Sequence, residues 1–261
     1  MSLVNKSGFG VMPIGPVAEP MDPNIDTEKG LLATSATQQH ALGRRHETWD
    51  GRKYRYIKNG ATQLEAALLV QSEAVAAEAI YEIQTGYTTA VGDTIITALV
   101  TTASGIADGD LVDGVLVVNK GDGIGNTYRI ANNKWLTGDT VMQIELYDPI
   151  RVATAATSEF TFVKNIYSGG IVAPTTLTGT LLGIPNGVIE ANYYGWIQTK
   201  GLCPATVDTG ETLVVGEVVG YPAAIAVAGA VGVTAVTDVT VGRVVTIAAA
   251  AETALIDLML E

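Results

Sequence analysis

Covalent catalysis needs an activated nucleophile beside a base, and this chain offers one cysteine, Cys203, and two histidines, His40 and His46. The histidines lie far upstream of Gly201-Leu202-Cys203-Pro204, and a thiol without an activating base is inert. Asp108, Asp110 and Asp113 form a D-x-D-x-x-D run of hard oxygen ligands of the kind that holds calcium, but the spacing departs from an EF-hand loop and no glutamate closes it. Solvated turns are the simpler reading. Gly121-Asp122-Gly123-Ile124-Gly125-Asn126 is glycine-rich like a phosphate loop, yet no Lys-Ser/Thr follows and the next residues read as a strand, so no helix terminus would face a phosphate. A turn between strands is expected there. Paired carboxylates occur on any acidic surface and do not select a hydrolase. The inventory favours a structural or binding protein over an enzyme, with no metal or cofactor.

The other chemically distinctive group is basic. Arg44, Arg45, Arg52, Lys53, Arg55 and Lys58 alternate with Trp49, Tyr54 and Tyr56. Such interleaving serves nucleic acid, a protein partner, or only a solvated hairpin face. Residues 1–60 hold eight Lys/Arg against six Asp/Glu, whereas the remainder holds seven against twenty-one, within a net charge of −12. An acidic whole repels phosphate at long range. A protein-docking strip is therefore the favoured reading and nucleic acid is not expected as a partner.

The elements that must carry these residues follow from composition. With 261 residues, 48% of them hydrophobic, the chain can bury a core, and the length suggests two compact units plus an arm. A lone cysteine excludes an internal disulfide framework. Met1 to Pro16 lacks a basic-then-apolar leader, so synthesis in a cytoplasm-like compartment is expected. Val218 to Thr237 is uncharged over twenty residues, long enough to span a bilayer. Its Ala, Gly, Val and Thr content, with Pro222 near the start, reads instead as paired strands with a turn at Gly229. No membrane partner is expected.

Gly8, Gly10, Pro13, Gly15, Pro16, Pro20 and Pro23 forbid helix and predict an extended arm, followed by a hairpin around Asp50-Gly51 with Tyr54 and Tyr56 on one face. Residues 61–85 are the one helical candidate. Thr62-Gln63-Leu64-Glu65 fits a capping box, and Leu64, Leu68, Val75, Ala79 and Ile83 recur at near-helical spacing. The competing reading makes Leu68 to Gln71 a short strand. Strands are predicted at Thr94–Val100, Leu111–Val118, Thr127–Ala131, Thr140–Tyr147 and Glu159–Val163. A second series follows at Val188–Thr199, Thr212–Val219, Ala223–Val227, Val239–Ile247 and Thr253–Leu260. The fold class is mainly β: two small sandwich- or barrel-like domains, 61–163 and 164–261, preceded by an arm plus hairpin, 1–60, with at most one substantial helix.

Tyr193, Tyr194 and Trp196 stand out on one predicted strand, as a core layer or a subunit contact, with Tyr193 on the opposite face from the other two. Leu42-Gly43-Arg44, then Asp50-Gly51-Arg52-Lys53-Tyr54-Arg55-Tyr56, then Asp113 to Asn119 and Gly123 to Ile130 come in order along the chain. Asp148-Pro149-Ile150, Tyr194 to Gly201 and Leu255-Ile256-Asp257-Leu258 complete the series. From about residue 40 to the end this order resembles the head structural proteins of tailed phages, marine ones especially.

The resemblance implies a capsid decoration, or cement, protein. Such a protein is made in the host cytoplasm and binds the outer surface of an expanded icosahedral shell. There it bridges capsomers of the major capsid protein. It implies a homo-oligomer, trimer favoured over dimer, and no catalytic residues. The six basic residues are then candidate capsid contacts, and Tyr193, Tyr194 and Trp196 candidate subunit contacts. The alternative is a virion-surface carbohydrate- or host-binding module, also β-rich. A β-helical depolymerase would require repeats and a carboxylate constellation that the sequence lacks.

Overall fold

The computed structural model describes residues 28–74, 82–83, 87–100, 106–137, 140–235 and 238–261. Among these, one four-residue helical turn, α1 (Glu28–Leu31), precedes sixteen strands. The chain is mainly β, as its periodicity predicts.

One stretch of sequence builds a closed barrel. Its strands are β4 (Glu82–Ile83), β5 (Ile95–Leu99), β6 (Val115–Lys120), β7 (Thr127–Thr137), β8 (Val141–Leu146) and β9 (Glu159–Val163), in the order β4-β5-β8-β7-β6-β9. Every pairing is antiparallel. Alternation puts Met142, Ile144 and Leu146 inside and leaves Gln143 and Glu145 towards solvent. Phe160 and Phe162, two apart on β9, are fully buried, each contributing roughly 1.5–3 kcal/mol of apolar burial. The Trp135 indole packs on this core and donates to the Ile106 carbonyl at 2.8 Å. Between β6 and β7, Gly121 to Asn126 forms the expected turn, leading into a strand.

The second sheet has ten strands. They are β1 (Arg45–Glu47), β2 (Lys53–Asn59), β3 (Val70–Gln71), β10 (Ser168–Val172), β11 (Leu181–Gly183), β12 (Tyr194–Thr206), β13 (Val218–Tyr221), β14 (Gly232–Val233), β15 (Val239–Thr246) and β16 (Thr253–Met259). The order is β11-β3-β10-β2-β12-β16-β15-β13-β14, with β1 on β2. The long strand β12 joins the halves: Tyr194 to Lys200 pair with β2, and Lys200 to Thr206 with β16. Bridges Ile184–Gln198 and Val207–Val231 return the chain to β12 and to the residue just after it. Two apolar clusters result, one around Ile57, Leu64, Val70 and Ile197, the other around Val219, Val241, Ile256 and Leu258.

This arrangement revises the expected partition at residue 60. β2 and β3 sit among strands drawn from residues 168–259, so the hairpin is part of the large sheet and the barrel sequence interrupts it. β2 is buried on both faces, Tyr54 and Tyr56 in one cluster and Ile57 in another, and β12 pairs along its edge, so it sits inside the sheet.

The helical reading of 61–85 also gives way where the residues are described. Leu64 bridges Ile189, Val70–Gln71 is a strand as the competing reading has it, and Ala67 takes a φ of 63°, which no right-handed helix accommodates. Residues 75–81 and 84–86 lie outside the described residues, as does the arm up to residue 27. In the uncharged Val218 to Thr237 stretch, β13 and β14 pair antiparallel, and no described helix is long and apolar enough to cross a membrane. Gly229 lies between them at φ +75°, with Val172 and Leu68 side-chain atoms within 2.9 Å of where a Cβ would stand, so only glycine fits.

Candidate interaction surface

The hairpin β1–β2 pairs Arg45 with Arg55, His46 with Tyr54 and Glu47 with Lys53. Two-residue alternation turns Tyr54 and Tyr56 inward and leaves Lys53, Arg55 and Lys58 half-exposed. Much of the strip's charge is answered within the chain. Arg45 pairs with Glu47. Arg52 Nε reaches Asp50 Oδ2 at 2.8 Å, and its Nη1 donates to the Tyr54 hydroxyl at 3.1 Å. Arg55 Nε meets Glu261 Oε1 at 2.5 Å, while its Nη1 donates to the Gly43 carbonyl at 2.8 Å. Arg44 donates to His40 Nδ1 at 2.8 Å, which fixes that ring as the acceptor tautomer. Lys58 sits over the Tyr194 ring, 5.9 Å from its centroid. The six basic residues do lie on one hairpin, but they form a braced surface more than an open positive rail.

At the hairpin tip, Thr48 N donates to Arg52 O and Gly51 N to Thr48 O, both at 2.9 Å, with Gly51 at φ +84°. The Thr48 hydroxyl bonds the Asp50 carboxylate, which this bond and then Arg52 hold below the usual aspartate range. Trp49, between them, is 96% exposed.

Tyr194 and Trp196 lie on β12 opposite Lys58 and Tyr56. The chain's own residues 31–46 fold back over them. Ser35 and Tyr194 exchange backbone bonds at 2.8 and 3.0 Å, Gln39 N donates to the Tyr56 hydroxyl at 3.2 Å, and Leu31 and Leu42 join the cluster. Both histidines converge there, His40 at 5.3 Å and His46 at 5.9 Å from the Trp196 ring centroid. Trp196 is only 5% exposed, the core outcome. Tyr193, on the other face, packs against the Ile57 and Ile197 cluster. Around Tyr193 to Trp196 the segment before the hairpin covers one face and the core takes the other. No periodicity in residues 28–47 signals that return, which is why the histidines read as arm residues.

The remaining chemical candidates are dispersed. Asp108 Oδ1 accepts from Trp135 N at 2.8 Å, Asp110 accepts from Ala107 N at 3.0 Å and meets Lys164 at 3.3 Å, and Asp113 holds Arg129 at 2.9 Å and the Tyr147 hydroxyl at 3.1 Å. Three carboxylates thus serve five partners, none of them shared. Cys203 is buried, its thiol pushed up to about 12 by loss of solvent, with Asn186 Oδ1 at 3.6 Å. It is a poor nucleophile.

Sequence reasoning missed two features. One is a buried polar hub: Gln198 Oε1 accepts from Tyr54 (3.3 Å) and Asn186 (2.9 Å), while its Nε2 donates to the carbonyls of Lys200 (2.9 Å) and Leu202 (2.8 Å). The other is a cavity of about 510 Å³ between the barrel and the hairpin, walled by Leu42, Val115, Val163, Ile166 and Tyr167, with Asp113, Arg129 and Lys164 at its rim. Neither carries a local sequence signature. No family model matches the chain, and comparisons with curated proteins and with solved structures find no match.

Proposed function

We propose that this chain is a structural protein of a phage head, a decoration or cement protein. On this reading it binds the outer face of the shell, bridges neighbouring subunits of the major capsid protein and acts as a homo-oligomer. The order of motifs from residue 40 onward supports the reading. So does the almost wholly β architecture. The observation that carries it furthest is the division of labour among side chains. Groups able to do chemistry are committed to holding strands and turns, as with Cys203, Gln198 and the aspartates at 108–113. Several large apolar side chains face solvent instead: Trp49, Val214, Val215, Ile124 and Ile247 are each more than 60% exposed. Of these, Trp49 on its braced turn is the residue type most enriched at protein contacts.

Energetically, each copy contributes a modest interface, and many copies with several contacts per oligomer gain avidity through effective concentration. The Pro- and Gly-spaced residues 1–27 suit strand addition to a neighbour's sheet edge. The test is co-sedimentation of the purified protein with expanded, undecorated phage heads. Saturable binding with a fixed copy number, and heads that withstand higher temperature, is the expected result. Failure to bind heads under any salt condition overturns the proposal.

A further inference from the structure

Two features of the surface have no counterpart within one copy, and they match each other. The first is Trp49, 96% exposed on a turn braced by Thr48, Asp50 and Arg52. Tryptophan buries ~150–250 Å² in a contact and dominates interface energetics. A knob already fixed in position loses little conformational freedom on docking. The second is the cavity of about 510 Å³, within the ~300–1,000 Å³ of sites that enclose small organic groups. Its wall residues Val115 and Ile166 are 41% and 42% exposed, so the groove is open and presents apolar surface to solvent.

We propose that Trp49 of one copy seats in this cavity of a neighbouring copy. Charge agrees with the pairing. Around the knob, Arg45, Arg52, Lys53 and Lys200 outnumber Glu47 and Asp50. Around the cavity, Asp113, Asp110 and Glu73 outnumber Arg129 and Lys164. A slightly positive knob meets lining cations that are each answered by carboxylates just outside the groove or in its wall, Lys164 by Asp110 and Glu73, Arg129 by Asp113, and the nearby Arg55 by Glu261, four carboxylates to three cations.

Geometry forbids the contact within one copy. The ladder runs from Gly43, which donates to Tyr56 O and lines the cavity, to Thr48, which donates to Arg52 O beside the knob. Five residues, three of them strand β1, separate the two by up to roughly 16 Å at ~3.3 Å each. Knob and cavity are different patches, so the contact is head-to-tail and closes into a ring or propagates as a filament. A glycan is a poorer occupant for the tip, since the Thr48, Asp50 and Arg52 side chains are already bonded within the turn.

The test uses the purified full chain alone and so stands apart from head binding. Sedimentation velocity is run on wild type, Trp49→Ala, Ile166→Asp and an equal mixture of the two variants. Both substitutions are at exposed side chains, and near-UV circular dichroism checks that folding is retained. The wild type is expected to form a discrete oligomer and each variant to remain monomeric, with self-association weakened about 30-fold or more, the scale of a tryptophan hot spot. The mixture is expected to form a capped heterodimer, because one intact knob meets one intact cavity. In the wild type, quenching of Trp49 fluorescence by acrylamide should fall on assembly. A monomeric wild type at millimolar concentration, a Trp49→Ala variant that assembles normally, or a mixture that stays monomeric would each overturn the proposal. So would a Trp49→Ala variant that loses head binding while wild type never self-associates, since the knob would then belong to the capsid contact.

Discussion

The barrel and the large sheet are made of the same residue types, yet they are held together differently. The barrel's strands all come from residues 82–163, and its apolar core admits a buried amide, Asn133, which accepts from Leu111 N at 2.8 Å and donates to the Ala107 carbonyl at 3.0 Å. The large sheet joins strands far apart in the chain, with Tyr54 meeting Gln198 across 144 residues, and it buries amides and a carboxylate at the joints. Asn59 donates to the carbonyls of Ile189 and Glu190 at 2.9 and 2.8 Å, and the nearly buried Asp208 accepts from Ala226 N and Val227 N at 2.9 and 2.7 Å. Local pairing needs only an alternating pattern to find its register. Remote pairing leaves irregular crossings whose backbone groups must be satisfied from side chains, and an unmade bond there costs more than a made one gains.

The sharpest way to break this contrast is a cavity in the barrel. Phe162→Ala should cost about 3–5 kcal/mol, read from the urea midpoint, because Phe162 is fully buried in a packed apolar cluster that closes only partly over the space left behind. Hydrogen exchange should then weaken first in β6 and β9, the strands that pack Phe162. Equal loss across β12 would mean that the two regions unfold as one.

Next in size is Gln198→Leu. The side chain fills much of the space, but it takes the Gln198 donor from the Lys200 and Leu202 carbonyls and the acceptor from the Tyr54 hydroxyl, while Asn186 keeps Tyr54 as an acceptor at 3.3 Å. Each buried orphan costs about 1–3 kcal/mol, so a loss of about 2–4 kcal/mol is expected after partial rearrangement. A loss below about 1 kcal/mol would show that the hub is decorative and that the sheet, like the barrel, relies on apolar packing.

How far the sequence anticipates each region follows the same division. Glu159–Val163 is a strand with its expected ends, and Met142, Ile144 and Leu146 line the interior, because a half-buried strand writes its period into the chain. In the sheet, Val239–Thr246 and Thr253–Met259 are equally legible. Ala223 to Val227 is not a strand despite its composition, because Asp208, remote in sequence, captures the N–H groups of Ala226 and Val227 and holds them in turns. The covering of Trp196 by residues 31–46 was illegible for the same reason: it is set by which segment returns. Trp49 could be seen in the sequence but not its exposure, since a residue at a hairpin tip obeys neither strand period.

A third comparison uses pH. Burial raises the Cys203 thiol to about 12 in the folded sheet, whereas an unfolded thiol titrates near ~8.5. Between those values the unfolded chain has lost its proton and the folded chain keeps it, so stability is full below about 8.5 and falls as pH rises towards 12. The slope is about 1.4 kcal/mol per pH unit, or about 2 kcal/mol at pH 10. Tyr56, Tyr167 and Tyr221, also raised by burial, add to the loss at still higher pH. Cys203→Ala should flatten the fall between pH 9 and 10 measured by urea unfolding. An unchanged slope would place the alkaline sensitivity with the tyrosines.

The smallest expected effect is at the Arg55–Glu261 pair, where the end of the chain is tied to the hairpin. The two side chains are 26% and 23% exposed, and Arg55 keeps its bond to the Gly43 carbonyl when the carboxylate is removed. Glu261→Gln should therefore cost no more than about 0.5–1 kcal/mol, and the cost should shrink in high salt as solvent ions screen the pair. The same substitution leaves Arg55 without its nearest anion. If Arg55 is a capsid contact, Glu261→Gln should tighten head binding at low salt while slightly lowering the melting temperature. Binding that weakens in step with stability would instead assign Arg55 to holding the sheet together, and leave contact with the shell to the exposed apolar surface.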